Sequence, residues 1–181
     1  MVGIVGIPRR FLLDTDECGI YLNSCNRKYG KGYVSARVRE VGPYGHTDKW
    51  TLIMTISPTG FRHVLFRKVS GTTAYDFYLF IERVILRVDG LGIQLTFLWD
   101  NLSSHSSDAL TLLIYNHGHR IIARPAYRPE DGPIEYVFNY YECRLRDRLY
   151  FIRNEHDLVR NTHNILSTMR GFDNYFRHCG Y

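Results

Sequence analysis

The chain has 181 residues, which suits one domain around a single substantial core, and its 45% hydrophobic content excludes a disordered polymer. Twenty-three basic against 18 acidic residues give a formal charge of +5 and a pI near 9.1, a balance that favours a polyanionic partner without naming one. Cys18, Cys25, Cys143 and Cys179 form no C-x-x-C pair, no apolar run reaches membrane length, and MVGIVGIPRRFLL sets its arginines after the apolar residues, so zinc knuckle, disulfide framework, membrane span and secretory signal are all disfavoured. A soluble intracellular protein with reduced thiols is the expectation.

RRFLLDTDECGIYL (9–22), apolar around an acidic centre, predicts a first strand. YVSARVREV (33–41) alternates and reads as a second, KWTLIMTISPTG (49–60) is β-rich and ends in a Pro/Gly turn, and RHVLFRKV (62–69) can return from that turn as a hairpin. These segments together predict an antiparallel meander. GTTAYDFYLFIERVILRVDG (71–90) predicts a helix, with Thr73 and Asp76 as a capping box and Phe77, Phe80, Ile81, Val84 and Ile85 at helical spacing.

IQLTFLWD (93–100) is a continuous apolar run of the kind found in a strand covered on both faces, and SSDALTLLIY (106–115) follows as a short helix. HRIIARPAY (119–127) reads as a strand stopped by prolines. GPIEYVFNYYECRLRDRLYF (132–151) predicts a long helix with Pro133 at its first position and Ile134, Val137, Phe138, Tyr141, Leu145 and Leu149 in one apolar stripe, which leaves Glu135 beside the stripe in the opening turn. A further helix is expected over roughly 155 to 170. A meander, a helix and then strand–helix units predict a mixed α/β sheet with helices on both faces.

Three acids fall at comparable places: Asp16 in the first strand, Asp100 at the end of an apolar strand, and Glu135 in the first turn of a late helix. An aspartate closing a buried strand is costly unless a cleft or a cation receives it. Should the first strand neighbour the one ending at Asp100, three carboxylates converge on an oxygen-only site suited to Mg²⁺ or Mn²⁺ and to phosphoryl chemistry. Asp14 and Glu17 are rivals for the first carboxylate, and strand alternation puts Asp14 on the same face as Asp16.

TDECGIYL, WDNLSSH and YRPEDGPIEYVF, in that order, resemble the three blocks of the DDE-type transposases of the mariner superfamily and its bacterial insertion-sequence relatives. Residues 101–134 make the separation of thirty-four between Asp100 and Glu135 that is typical of the superfamily, and the closing FDNYFRHCGY is also similar to the family. Gly132 stands where the family usually has asparagine, Asp131 where an apolar residue is common, and Phe138 where tryptophan is frequent. No departure removes a carboxylate.

The resemblance implies a ribonuclease-H-like fold and a single DDE catalytic domain over 1–181, without the family's N-terminal helix-turn-helix modules. It implies Asp16, Asp100 and Glu135 as catalytic metal ligands for two Mg²⁺ or Mn²⁺ ions, with Asp16 bridging, the pair held about 3.5–4 Å apart. The activity implied is hydrolysis of a phosphodiester at a transposon end, followed by in-line attack of the freed 3′-hydroxyl on target DNA. Asn101 and His105 would support the site. Arg124, Tyr127, Arg128, Arg144, Arg146 and Arg148 would follow DNA phosphates. Double-stranded DNA is the expected partner, a second copy of the chain is a candidate one, and the compartment is the nucleus in a eukaryote or the cytoplasm in a bacterium.

Plainer readings stand beside these. DNLSSH alone is an ordinary capped turn, Glu135 alone a favourable acid at a helix N-terminus, the Arg144 to Arg148 run a solvated helix face, and His117-Gly118-His119 a polar turn. A domesticated or truncated core that binds DNA or protein without cutting is the alternative function. A ribonuclease H or Holliday-junction nuclease fits the D-N-x-x-x-H and P-I-E blocks less well.

Overall fold

A computed structural model describes residues 6–25, 31–35, 37–38, 48–69, 71–89, 92–99, 107–124 and 129–181. Its centre is a mixed five-stranded sheet in the order β3-β2-β1-β4-β5. The strands are β1 (Leu12–Ile20), β2 (Trp50–Ser57), β3 (Gly60–Lys68), β4 (Thr96–Trp99) and β5 (Arg120–Ala123). β1 to β3 run as the expected antiparallel meander, with Gly60 at φ +145° closing the tight Pro58-Thr59 turn that joins β2 to β3. β4 lies parallel to β1, with Leu12 opposite Thr96 and Asp14 opposite Leu98, and β5 lies parallel to β4.

One expected strand is corrected. Residues 33–35 and 37–38 belong to no strand, and the remainder of 33–41 lies outside the described residues. Alternation makes a strand only where a neighbour offers a ladder and a face to bury. Here Tyr33 and Val34 are 90% and 96% exposed, and Ser35 takes a left-handed turn at φ 67°.

Alternation along β1 divides the core. Leu13, Ile53, Phe97 and Trp99 face α1 (Ala74–Val88) and α2 (Asp108–Asn116), while Leu12, Leu52, Met54, Ile56 and Leu98 face α3 (Pro133–Asp147), α4 (Glu155–Thr168) and α5 (Asp173–His178). The short α5 lies beyond the last helix expected from sequence; its Phe176 is fully buried. The predicted stripe is buried at all six positions, five of them in α3 and Leu149 in the 3-10 turn that follows it, and the Tyr141 hydroxyl shares a 2.8 Å hydrogen bond with Thr162 of α4 inside the core. Tyr141→Phe leaves Thr162 short of that partner and is expected to cost about 1 kcal/mol, readable from urea unfolding.

The capping box on α1 forms as expected: the Asp76 amide donates to Thr73 Oγ1 at 3.1 Å, and the Thr73 amide donates to Asp76 Oδ2 at 3.1 Å. Arg67 of β3 adds an ion pair to the same acid at 2.8 Å, so Asp76 is held well below the usual carboxylate range, chiefly by that arginine.

His63 of β3 stacks on Phe80 of α1, and burial, aided by Arg87 and Arg83, lowers its imidazole to about 4. Between about 4 and 6.5 the folded protein therefore binds fewer protons than the unfolded chain, so acidification through that window is destabilising. His63→Phe keeps the stack and removes the titration. Its unfolding midpoint in urea is expected to gain on the wild type as the pH falls from 7 to 4.5.

Candidate active site

Asp14 and Asp16 share the face of β1 that packs toward α3, and the N-terminus of α3 meets them there. Asp14 is completely buried. Its Oδ2 accepts the Ile134 amide of the first turn of α3 at 2.9 Å and faces Arg124 Nη1 at 3.4 Å, while Oδ1 is buried without a hydrogen-bond partner. Burial, outweighing Arg124 and the Ile134 amide and reinforced by Glu135, raises the Asp14 carboxyl to about 6.

Asp16, two residues on, is 7% exposed. Its Oδ1 accepts the Glu17 amide at 2.7 Å and its Oδ2 lies 3.6 Å from Arg124 Nη2. Arg124 thus spans both aspartates. It is placed by its own backbone, whose amide donates to the Trp99 carbonyl at 2.6 Å just beyond the last paired residues of β4 and β5.

Glu135 sits exposed in the first turn of α3, after Pro133 at the helix start, and its amide donates to the Gly132 carbonyl at 3.1 Å. Its charge reaches both Asp14 and Cys18. Burial pushes the Cys18 thiol far above its ordinary range, with Glu142, Asp16 and Glu135 adding to the rise, so this cysteine is no nucleophile. The C-terminal residues brace the segment before α3: Tyr181 donates its hydroxyl to the Asp131 carbonyl at 3.0 Å, and Cys179 Sγ approaches the Glu130 carbonyl at 3.5 Å.

β4 stops at Trp99, and Asp100, Asn101 and His105 lie outside the described residues, as do Tyr127 and Arg128. Among the remaining basic residues, Arg144 is exposed, Arg146 and Arg148 are partly so, and Arg124 is buried. Arg124 points inward with a side chain only 5% exposed. Arg144 stacks over Tyr140 and donates to its hydroxyl at 3.0 Å, Arg146 pairs with Glu142 at 2.9 Å, and Arg148 reaches Asn161 of α4 at 3.3 Å. These three occupy the last turn of α3 and its C-cap, roughly 14–20 Å along the helix from Glu135.

Among the described residues no group of three His, Cys, Asp or Glu side chains is placed to hold a metal ion. The described donors nevertheless fit a hard divalent cation. Asp16 and Glu135 both offer carboxylate oxygens, and the cation now beside Asp16 is a guanidinium. His117 and His119 form the expected turn, with Gly118 at φ 75°, at the other end of β4 and β5. His117 Nδ1 meets Asp89 Oδ2 at 2.6 Å. His119 Nδ1 accepts the Leu95 amide at 3.3 Å, so its proton sits on Nε2, facing Asp89 Oδ1 at 3.5 Å. Both rings are thus turned toward Asp89.

Sequence reasoning set Asp14 behind Asp16 as a rival and did not foresee that Arg124 is buried against both acids. The available signal was Gly132: a helix beginning after glycine lacks a capping side chain, and a same-face acid two residues before Asp16 can supply the acceptor.

The fold is found in solved transposases. The chain is similar to the Mos1 transposase paired-end complex with left transposon end, at TM-score 0.75 and 16% identity over 94% of this chain and 52% of that one. It is similar to the catalytic domain of Mos1 mariner transposase at TM-score 0.69 and 15% identity, covering 94% and 76% of the two chains. The Mos1 mariner paired-end complex with Mn gives TM-score 0.76 at 16% identity, covering 94% and 52%. At such identity the likeness is one of fold, here ribonuclease-H-like, and the chain spans about half the length of the full transposase chains it matches. No curated protein matches it. Residues 12–157 match the DDE superfamily endonucleases, a stretch that begins with the first residue of β1, runs through Asp16, Asp100 and Glu135 in order, and ends within α4. The chain belongs to the DDE superfamily endonuclease family.

Proposed function

We propose that the chain is the catalytic core of a transposase, cutting a phosphodiester at a transposon end and joining the freed 3′-hydroxyl to target DNA, with Asp16, Asp100 and Glu135 holding two Mg²⁺ or Mn²⁺ ions. The observation that carries this reading is the meeting of β1 and the start of α3 through the Asp14–Ile134 hydrogen bond, which sets the strand that bears Asp16 against the turn that bears Glu135. Supporting it, β1 and β4 are parallel neighbours, with Asp14 opposite Leu98, so the strand that precedes Asp100 in sequence runs beside the strand that bears Asp16.

Bound there, the ions would polarise the phosphate and lower the pKa of an attacking water. The chain's own residues would do the rest. Asp16 and Glu135 come from two rigid elements, so the carboxylates need little reorganisation when DNA arrives. Arg124 balances the buried charge on Asp14 and Asp16 while the acids stand alone. Asn101 and His105, following Asp100, would contact DNA near the scissile phosphate, with Tyr127 and Arg128 entering from the segment before α3. Arg144, at the distal end of α3, would meet DNA only on a path extending along that helix. Double-stranded DNA is the proposed partner, with a second copy of the chain completing the assembly on two ends.

Supercoiled plasmid and labelled oligonucleotides incubated with Mn²⁺ or Mg²⁺ test the reading against Asp100→Asn. Nicking that needs the metal and disappears in the variant supports it. A folded protein that binds DNA but leaves both substrates whole under every metal condition would favour the non-cutting alternative.

A further inference from the structure

We propose that Asp14 is a positioning residue: it caps α3 from β1 and thereby sets the separation of Asp16 and Glu135. The inference rests on the reading of Asp16 and Glu135 as metal ligands. The other three long helices carry their own caps, with Thr73, Ser107 and Asn154 each accepting an amide of the turn that follows. α3 starts after Gly132 and has no capping side chain. Its acceptor comes from 120 positions away in sequence, the Asp14 carboxylate at 2.9 Å from the Ile134 amide.

The need for that acceptor is physical. Ile134 is fully buried, so water cannot replace the lost partner, and a helix N-terminus favours an anion. The geometry links the two metal-facing acids by a short path. Asp16 is two residues from Asp14 on an extended strand, Glu135 follows Ile134 directly, and one hydrogen bond joins the two segments. Arg124 strengthens the joint by placing Nη1 on the same Asp14 oxygen and Nη2 toward Asp16. Asp14 Oδ1 makes no bond of its own, so an asparagine can keep the Oδ2 contacts with its amide oxygen in that place.

Calorimetric titration of Mn²⁺ into the wild type, Asp14→Asn and Asp14→Leu tests this, with Ile134 amide exchange followed by NMR. Asp14→Asn is expected to bind Mn²⁺ within about threefold of the wild type and to keep Ile134 protected. Asp14→Leu is expected to bind at least about tenfold more weakly, with Ile134 exchanging fast, the loss seen when an orienting partner of a ligand is removed. Should Asp14→Leu not fold, Asp14→Leu/Arg124→Met removes both members of the buried pair and carries the same expectation. Wild-type affinity in a folded apolar variant overturns the proposal, leaving Asp14 a purely structural acid. Equal loss in the asparagine and leucine variants overturns it too, by making the Asp14 charge itself the ligand. Asp16→Asn and Glu135→Gln, titrated alongside, separate the underlying reading: unchanged Mn²⁺ binding in both removes the metal site whatever Asp14 does.

Discussion

Arg124→Met is expected to cost about 3–5 kcal/mol of stability, because it leaves the fully buried Asp14 without its counter-charge. Methionine fills most of the volume, so packing contributes little to the loss. The cost depends on pH in a definite direction. The Asp14 carboxyl stands at about 6 against 3.8, so the folded protein holds the extra proton and this group favours folding at low pH, an advantage lost as the pH rises through about 6. Without Arg124 the folded value moves higher still. The variant therefore approaches the wild type near pH 5 and falls furthest behind near pH 8. Adding Asp14→Asn removes the stranded charge and is expected to restore more than half of the deficit. Urea unfolding of the four proteins at both pH values reads the coupling directly; additive single effects would show that the two side chains do not act as a pair.

Glu135→Gln is expected to do the reverse, keeping stability and removing activity. Glu135 is exposed, and its charge adds to the pressure on Asp14, so neutralising it should change stability by no more than about 0.5 kcal/mol. Cleavage of DNA should fall at least about 100-fold, the scale seen when a preorganised electrostatic contact to the transition state is lost. Asp16→Asn is expected to match it, since an asparagine oxygen can still accept the Glu17 amide that holds this position. A parallel fall in stability and cleavage would instead mark these acids as structural.

Much of this was legible in the sequence because the signals were local and redundant. Thr73 with Asp76, the five apolar positions of α1 and Pro133 ahead of the α3 stripe each combine composition with spacing, and each forms as expected. The neighbouring of β1 and β4 stood in the sequence only as a condition, which the parallel pairing of Leu12 to Asp14 with Thr96 to Leu98 meets. Residues 33–41 misled because alternation reports only what a strand would need, and no ladder takes up the described part of that segment. α5 is six residues long, too short for helical periodicity to stand out, and packing of Phe176 holds it in place. The role of Arg124 was hidden for a different reason. An arginine before a proline reads as a surface cation, and its burial becomes evident only once β5 is set beside β4 and its side chain lies across Asp14 and Asp16.

The central claim is that Asp16, Asp100 and Glu135 together hold the divalent ions for cleavage. Its most direct test is a Mn²⁺ titration followed by electron paramagnetic resonance, comparing the wild type with the combined Asp16→Asn/Asp100→Asn/Glu135→Gln variant. Two ions bound per wild-type chain, and none in a variant that melts cooperatively, is the predicted result. Equal Mn²⁺ binding by the two proteins would contradict it.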